Sequence, residues 1–278
     1  MKSLITSPFI NGHSIGPKGN ELIPQTNPTT EEVFVEVQAA GLEELEMAVQ
    51  GAKSAFNGWR QRSPNERADM LYAIAHAIRQ QKDTLARWET QNIGKPAQDA
   101  KDEIELGARI FEYYAGAVGK YFGHTIPVSK KGLNMTLREP MGVVAAIVPW
   151  NFPFPIACWK VAPALAAGNT VILKPSSLSP LTALGLGKLA IEAGLPEGIL
   201  QVVPGRGRLI GEALSRHPDV RKISFTGSTQ SGARIMESAA KGIKRVSLEL
   251  GGKSPNIIFA DADLDSAASD SPMSVFAN

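Results

Sequence analysis

The chain has 278 residues, of which 43% are apolar and 20% charged, so it can bury the core of one large domain or two smaller ones. Its formal net charge of +2 is too small to favour binding to nucleic acid or to a membrane surface. The single cysteine excludes an intrachain disulfide framework, and no secretory signal or membrane-spanning run is visible. These features predict a soluble protein of the cytoplasm.

Short strands followed by amphipathic helices are predicted over the first 124 residues, because from Leu42 onward the apolar side chains recur at helical spacing. Ser63 followed by Pro64 is typical of a helix start, with serine as the N-cap and proline in the first turn. The predicted elements are a turn at 8–12, a strand at 33–37, a helix from Leu42, a second helix from Ser63 to Gly94 and a third at about 99–119. Residues 125–142 are predicted to form a protruding hairpin arm.

From residue 143 the chain alternates short β-branched strands with helical segments, which is the pattern of βαβ units. The predicted strands are 143–148, 170–173, 199–203, 222–225, 246–250 and 256–259, and the predicted helices are 155–167, 180–193, 209–216 and 229–241. The fold class is therefore α/β, with a Rossmann-like, mostly parallel sheet that has helices on both faces. Ligands of such sheets bind beyond the carboxyl ends of the strands, so the turns there should carry the chemistry.

Glu249 is the most informative residue of the sequence. It lies between Leu248 and Leu250 on an apolar strand, where a carboxylate is costly unless it has partners or a function. Gly251 and Gly252 follow it at the strand end. The position favours a functional acid.

Two further turns have the composition of anion-binding sites. Gly205, Gly207 and Gly211 have a spacing one residue longer than the usual dinucleotide fingerprint. Residues 226–228 precede a helix whose N-terminal amides and dipole suit a phosphate. A plain strand-to-helix turn explains the first pattern, and simple helix capping the second, equally well.

Two other strand-end turns are candidates for catalysis and binding. Prolines at both ends of 149–153 stiffen the loop around Asn151, and a rigidly held amide can stabilise a developing oxyanion. Lys174, Ser176 and Ser177 offer a cation and two hydroxyls to a ribose or phosphate. The alternatives are a proline-rich turn with a packed tryptophan and a solvated lysine.

The remaining reactive residue types predict no site. Cys158 lies at helical spacing among apolar residues, which indicates an inert core thiol. The histidines at 13, 76, 124 and 217 share no ligand spacing, so no metal site is predicted.

Four of these motifs occur in one order: P-W-N-F-P at 149–153, K-P-S at 174–176, F-T-G-S at 225–228 and L-E-L-G-G-K at 248–253. The ordered set resembles the aldehyde dehydrogenase superfamily, from about Phe9 to the end of the chain, and its last motif resembles the family's glutamate active-site signature. The resemblance implies oxidation of an aldehyde to a carboxylic acid with NAD or NADP. It also implies a homo-oligomer, dimer or tetramer, for the complete enzyme.

The resemblance implies roles for individual residues as well. Asn151 would supply an amide to the oxyanion of a thiohemiacetal, and Glu249 would activate the water that hydrolyses the thioester. Lys174, Ser176 and Ser177 would face the adenosine ribose. The remaining cofactor contacts would be Ser228 at the pyrophosphate, Leu250 and Gly251 near the nicotinamide, and Ile147, Pro149, Trp150, Gly207, Gly211, Phe225, Thr226 and Gly227 along the cleft.

Ser177 departs from a common pattern of the family. Many members carry glutamate at this position, where the carboxylate accepts a hydrogen bond from the ribose 2′-hydroxyl and repels a 2′-phosphate. Serine removes the repulsion, so NADP should be accepted alongside NAD.

The family pattern divides the chain into cofactor-domain strands and helices at 1–124, an oligomerisation arm at 125–142, a Rossmann-like NAD(P)-binding domain at 143–260 and the start of a catalytic domain at 261–278. It places the nucleophilic cysteine a few residues beyond Asn278, so the catalytic domain is expected to be absent and this chain alone to be inactive.

Two interpretations of the chain fit the same residues equally well. One is the amino-terminal part of an aldehyde dehydrogenase, and the other is a non-catalytic NAD(P)-binding module or half of a split enzyme. The reading frame beyond codon 278 separates them, because a continuing frame with a Gly-Gln-x-Cys-like segment supports the first. An unrelated doubly wound kinase or reductase explains neither Glu249 nor the Asn151 loop.

Overall fold

The structure is a computed structural model, and it describes residues 4–16 and 21–272. Its strands are β1 (Phe9–Ile10), β2 (His13–Ser14), β3 (Leu22–Thr26), β4 (Val33–Gln38), β5 (Thr125–Ile126), β6 (Asn134–Met135), β7 (Val143–Ile147), β8 (Thr170–Lys174), β9 (Leu200–Val202), β10 (Val220–Gly227) and β11 (Arg245–Leu250). Its α-helices are α1 (Leu42–Arg60), α2 (Pro64–Gln80), α3 (Lys82–Ile93), α4 (Ala97–Ala117), α5 (Pro153–Ala166), α6 (Leu181–Glu192), α7 (Glu212–Arg216), α8 (Thr229–Ala240) and α9 (Leu264–Asp270). A 3-10 turn covers Val118–Lys120 and a π-helical turn covers Gly207–Gly211.

A seven-stranded sheet in the order β11-β10-β7-β8-β9-β1-β2 forms the centre of the molecule. The strands from β7 to β11 pair in parallel, and β1 joins β9 antiparallel at the other side. All residues of β7 and β8 are buried, as expected for parallel strands with both faces covered. The predicted α/β class with a mostly parallel sheet is confirmed.

Helices cover both faces of this sheet, and β8 shows why. Val171 and Leu173 point into a core that includes side chains of α2 to α6. Ile172 points the other way, into a second core with side chains of α1, α7 and α8. A strand whose successive residues are all apolar can thus bury both of its faces.

The second predicted helix is wrong in its length. It begins as expected, because the Ser63 hydroxyl accepts from the Glu66 amide at 3.3 Å while the Glu66 carboxylate accepts from the Ser63 amide at 2.8 Å. The chain then bends at Gln81, which separates α2 from α3, and only α3 ends at the left-handed Gly94, with φ of 76°. No glycine or proline marks the bend, and apolar residues continue at helical spacing across it.

The predicted strand at 256–259 is also wrong. In the part of the chain that the structure describes, residues 251–259 have no regular structure, and Ile257, Ile258 and Phe259 are exposed. β-Branched residues favour extended backbone, but a strand also needs a neighbour for its hydrogen bonds. Among residues 4–16 and 21–272, β11 pairs only with β10 and forms an edge of the sheet.

Two smaller predictions are refined. The turn expected at 8–12 is confined to Asn11 and Gly12, which have positive φ of 51° and 81° and join β1 to β2. The arm at 125–142 contains the antiparallel pair β5–β6. Among the described residues, no helix is both long and apolar enough to cross a bilayer.

Candidate functional site

A cleft of about 990 Å³ opens where β7, β8, β10 and β11 end. Ile147, Lys174, Gly227 and Leu250, the last residues of these strands, all line it. This is the edge at which open α/β sheets bind their ligands. The cleft therefore lies where the sequence predicted the chemistry.

The structure brings together every residue to which the sequence assigned a role. The cleft is lined by Glu249 and Asn151, and also by Ile147, Pro149, Trp150, Lys174, Ser176, Ser177, Gly207, Gly211, Phe225, Thr226, Gly227, Ser228, Leu250 and Gly251. They come from five separate stretches of chain. Their shared location fits the predicted roles.

The turn after β10 is both a helix cap and a wall of the cleft. Ser228 caps α8, since its hydroxyl accepts from the Ser231 amide at 3.2 Å. Gln230 and Arg234, farther along the same helix, also line the cleft. Ser228 therefore caps the helix, and the N-terminal end of this 12-residue helix also faces the cleft, where its dipole favours an anion.

The glycines after β9 keep the cleft open. The helix predicted at 209–216 is instead the π-helical turn Gly207–Gly211 followed by the short α7. A Cβ at Gly207 or at Gly211 would meet no atom within 4 Å. A Cβ at Gly205, in contrast, would approach Ile210 Cγ1 to 2.8 Å. Packing therefore explains Gly205, whereas Gly207 and Gly211 border empty space.

Lys174 is buried rather than solvated, so the solvated-lysine alternative is wrong. Its ammonium donates to the Pro175 carbonyl at 2.8 Å, and burial lowers the pKa of Lys174 to about 8. Next to it, the Ser176 hydroxyl accepts from the Leu178 amide at 3.2 Å. A buried cation with few partners is well placed to bind a polar group of a ligand.

The loop that contains Asn151 is held by Lys95. The backbone carbonyl oxygen of Asn151 accepts a hydrogen bond from Lys95 Nζ at 3.1 Å, and the same ammonium lies 4.0 Å from the centre of the Phe152 ring. Trp150 is 53% exposed and lines the cleft, so it is not the packing residue of the proline-rich-turn alternative. The loop is thus anchored by its backbone while Trp150 faces the open space.

Glu249 does not have the buried environment that the sequence predicted. It is exposed because β11 is an edge strand among the described residues. The sequence reasoning missed Lys160 on α5, whose pKa the charge of Glu249 acts to raise. Burial lowers the pKa of Lys160 to about 8, against the opposing effect of Glu249, and Lys160 Nζ donates to Ser224 Oγ at 2.9 Å. The sequence signal that could have pointed to Lys160 is a lysine among the apolar residues of a core helix.

Cations on the wall of the cleft were also missed. Arg208, Arg216, Arg234 and Lys241 line it in addition to Lys174, and the acidic residues Glu212 and Glu237 line it in addition to Glu249. Arg216 pairs with Glu212 at 2.6 Å. Basic residues scattered along a helix are ordinary surface residues in a sequence, and only the fold places these four around one space. The wall carries more cations than carboxylates, which suits a phosphorylated ligand.

Cys158 has the core environment that was predicted. It is fully buried on α5, and burial, followed by the nearby Glu89 carboxyl, raises the pKa of its thiol well above the usual range. A thiol in this state is protonated and inaccessible. Over the described ranges 4–16 and 21–272, no group of three histidine, cysteine or acidic residues could hold a metal ion.

The buried carboxyl of Glu89 should make stability depend on pH. Burial raises its pKa to about 7, and the nearby charges of Glu103 and Lys95 act in opposite directions. Between its usual pKa of 4.5 and about 7, the unfolded chain ionises while the folded chain keeps the proton, so stability falls as pH rises. We expect Glu89→Gln to gain about 3 kcal/mol relative to the wild type between pH 4.5 and 8. Urea unfolding of both proteins across this range measures the difference, and a pH-independent difference would contradict it.

Comparison with known proteins shows which family this chain resembles. Residues 15–278 match the sequence profile of the "Aldehyde dehydrogenase family". Cytosolic 10-formyltetrahydrofolate dehydrogenase of Xenopus tropicalis is 44% identical over 278 residues, covering 97% of this chain and 31% of that protein. Peroxisomal aminoaldehyde dehydrogenase 1 of Pisum sativum is 46% identical over 269 residues, covering 94% of this chain and 54% of that protein.

A solved structure agrees with the sequence comparison. The chain superposes on a betaine aldehyde dehydrogenase of Staphylococcus aureus in complex with NAD⁺, with a TM-score of 0.93 and 35% identity. The superposition covers 96% of this chain and 55% of that one. The chain thus spans between about a third and just over half of the length of these relatives.

Proposed function

The chain belongs to the aldehyde dehydrogenase family, and from this membership we propose that it binds NAD or NADP as part of an enzyme that oxidises an aldehyde to a carboxylic acid. One observation carries the proposal: every residue with an expected cofactor or catalytic role lines the same cleft. The NAD⁺ complex of the Staphylococcus aureus relative supports the choice of cofactor.

The proposed cofactor contacts use the chemistry of each wall. Lys174, Ser176 and Ser177 would bind the adenosine ribose, where the buried ammonium of Lys174 can donate to a hydroxyl. Ser228 at the start of α8 would lie beside the pyrophosphate, which the helix dipole and the cationic wall favour. Leu250 and Gly251 would lie near the nicotinamide. NAD or NADP supplies the hydride acceptor of the reaction.

The proposed catalytic roles follow from the same placement. Asn151 would donate to the oxyanion formed when a thiolate adds to the aldehyde, an effect worth about 3 kcal/mol for a well-held donor. Glu249 would take a proton from the water that hydrolyses the thioester, and its exposure leaves it accessible to that water. In this proposal the thiolate would come from outside these 278 residues, since Cys158 is the only cysteine among them and is buried.

A non-catalytic NAD(P)-binding module, or half of a split enzyme, is the second candidate. The burial of the single cysteine agrees with it, since Cys158 is then not an accessible thiol. Both candidates use the same cleft and cofactor. They differ only in whether a thiol from further sequence completes the site.

We extend the proposal to assembly, domains and location. A homo-oligomer would form through the arm at 125–142, where Ile126, Leu133 and Leu137 are exposed. The divisions at residues 124, 142 and 260 would separate the arm from the cofactor-binding parts and from the start of the catalytic domain. The cytoplasm is the proposed location, as for the Xenopus relative, although the Pisum relative is peroxisomal.

Titration of the 278-residue chain with NAD and with NADP, by calorimetry, tests the proposal. We expect both to bind, and Gly207→Val to weaken both at least tenfold, because its side chain would enter open space beside the cofactor. Gly119→Val is the matched control, since a Cβ there also meets no atom within 4 Å but Gly119 lies outside the cleft. Equal effects of the two substitutions, or no binding by the wild type, would contradict the proposal.

A further inference from the structure

Three buried polar side chains recur every three residues along the end of α3 and just beyond it. Glu89, Asn92 and Lys95 are 1%, 7% and 3% exposed. None of them lines the cleft. Polar groups in such positions are costly unless they make hydrogen bonds, so their partners reveal what the segment does.

Two of the three side chains hold the loop that carries Asn151. Lys95 Nζ donates to the Asn151 carbonyl at 3.1 Å, lies over the Phe152 ring and forms a buried ion pair with Glu103. Glu89 Oε1 accepts from the Phe154 amide at 3.3 Å, at the start of α5. The backbone of the loop is therefore fixed by side chains that do not line the cleft.

The third side chain holds the turn that carries Ser177. Asn92 Nδ2 donates to the Leu178 carbonyl at 2.9 Å and to Gln25 Oε1 at 3.0 Å. Gln25 Nε2 in turn donates to the Ser177 carbonyl at 3.1 Å. Two consecutive carbonyls of the turn between β8 and α6 thus depend on Asn92 and Gln25.

We propose that Asn92 and Lys95 are positioning residues, which from one short segment fix the two loops that follow β7 and β8 and line the cleft. Asn92, with Gln25, sets the turn of Ser177, and Lys95 sets the loop of Asn151. That the two loops bind the ribose and the oxyanion rests on the proposed function. The two loops depend on different bonds, so each can be released without the other.

Amide hydrogen exchange of the 278-residue chain, resolved to single residues, tests the positioning directly. We expect Asn92→Ala to speed exchange at 176–179 at least tenfold and to leave 150–152 unchanged. The double substitution Lys95→Met and Glu103→Met should do the reverse. It replaces the whole buried ion pair with apolar groups, which keeps the fold while it removes the donor to Asn151.

Gln98→Ala is the matched control, because Gln98 is exposed and its side chain donates to Asp102 within the same helix, α4. Uniform acceleration over the whole chain, or no change in either loop, would overturn the proposal, since a merely structural role does not select one loop.

Calorimetric titration with NAD separates this proposal from the function on which it rests. We expect Asn92→Ala to weaken NAD binding at least tenfold and the Lys95→Met/Glu103→Met variant to weaken it by a smaller factor. Unchanged NAD affinity in Asn92→Ala would overturn the link between Asn92 and ribose binding. If the wild type binds no nucleotide, the proposed function fails, and the loop-selective exchange still decides whether Asn92 and Lys95 position the loops.

Discussion

Substitution of Ser177 by glutamate is expected to weaken the binding of NADP about 100-fold while it changes NAD binding less than threefold. The Ser177 side chain lines the cleft next to the buried Lys174. A carboxylate there accepts from a ribose 2′-hydroxyl but repels a 2′-phosphate. Like charges about 4 Å apart near a protein surface repel by a few kcal/mol, and about 2.7 kcal/mol corresponds to 100-fold.

Calorimetric titration of wild type and Ser177→Glu with both cofactors measures this switch. Ser177→Ala is the matched control, because it removes the hydroxyl without adding a charge and should leave the ratio of the two affinities within threefold. If Ser177→Glu binds NADP as well as the wild type does, Ser177 does not face the 2′-position, and the assignment of this turn to the ribose is wrong.

Substitution of Trp59 by alanine should destabilise the chain by about 3–5 kcal/mol. Trp59 is 1% exposed, belongs to the core on one face of the sheet, and donates from Nε1 to the Leu165 carbonyl at 3.2 Å. It therefore joins α1 to α5, which starts at the Asn151 loop. Loss of the indole leaves a cavity between residues of the proposed 1–124 and 143–260 segments, and it removes one of the hydrogen bonds to the Leu165 carbonyl, which still accepts from the Gly168 amide at 2.9 Å.

Trp159→Ala is the control for this prediction, since Trp159 lies on α5 itself but is 51% exposed. Its loss should cost less than half as much in the free energy of unfolding, measured by urea denaturation. Equal costs would indicate that residues 1–124 and 143–260 do not share one core. Two separate unfolding transitions in the wild type would lead to the same conclusion.

Much of the fold follows from patterns that are local in the sequence. Alternating β-branched runs and helical segments predict the parallel sheet, and the strand-end turns predict the cleft, because parallel strands end at one edge. The predictions fail where the structure depends on which strands pair or on the direction in which a helix continues. The bend at Gln81 has no breaker residue, and the segment 256–259 has β-forming residues but no neighbouring strand among the described residues.

By itself the sequence determined the alternation of strands and helices from residue 143, the family, and which strand-end turns line the cleft, because each of these is read from motifs of a few consecutive residues. Only the tertiary structure decided which of these groups are buried and what holds them. It places Glu249 at an exposed edge and Lys174 in the interior. It also joins Asn92 to a carbonyl 86 residues away and Lys95 to one 56 residues away. Burial and hydrogen bonding depend on which elements pack together, and that is a property of the whole chain.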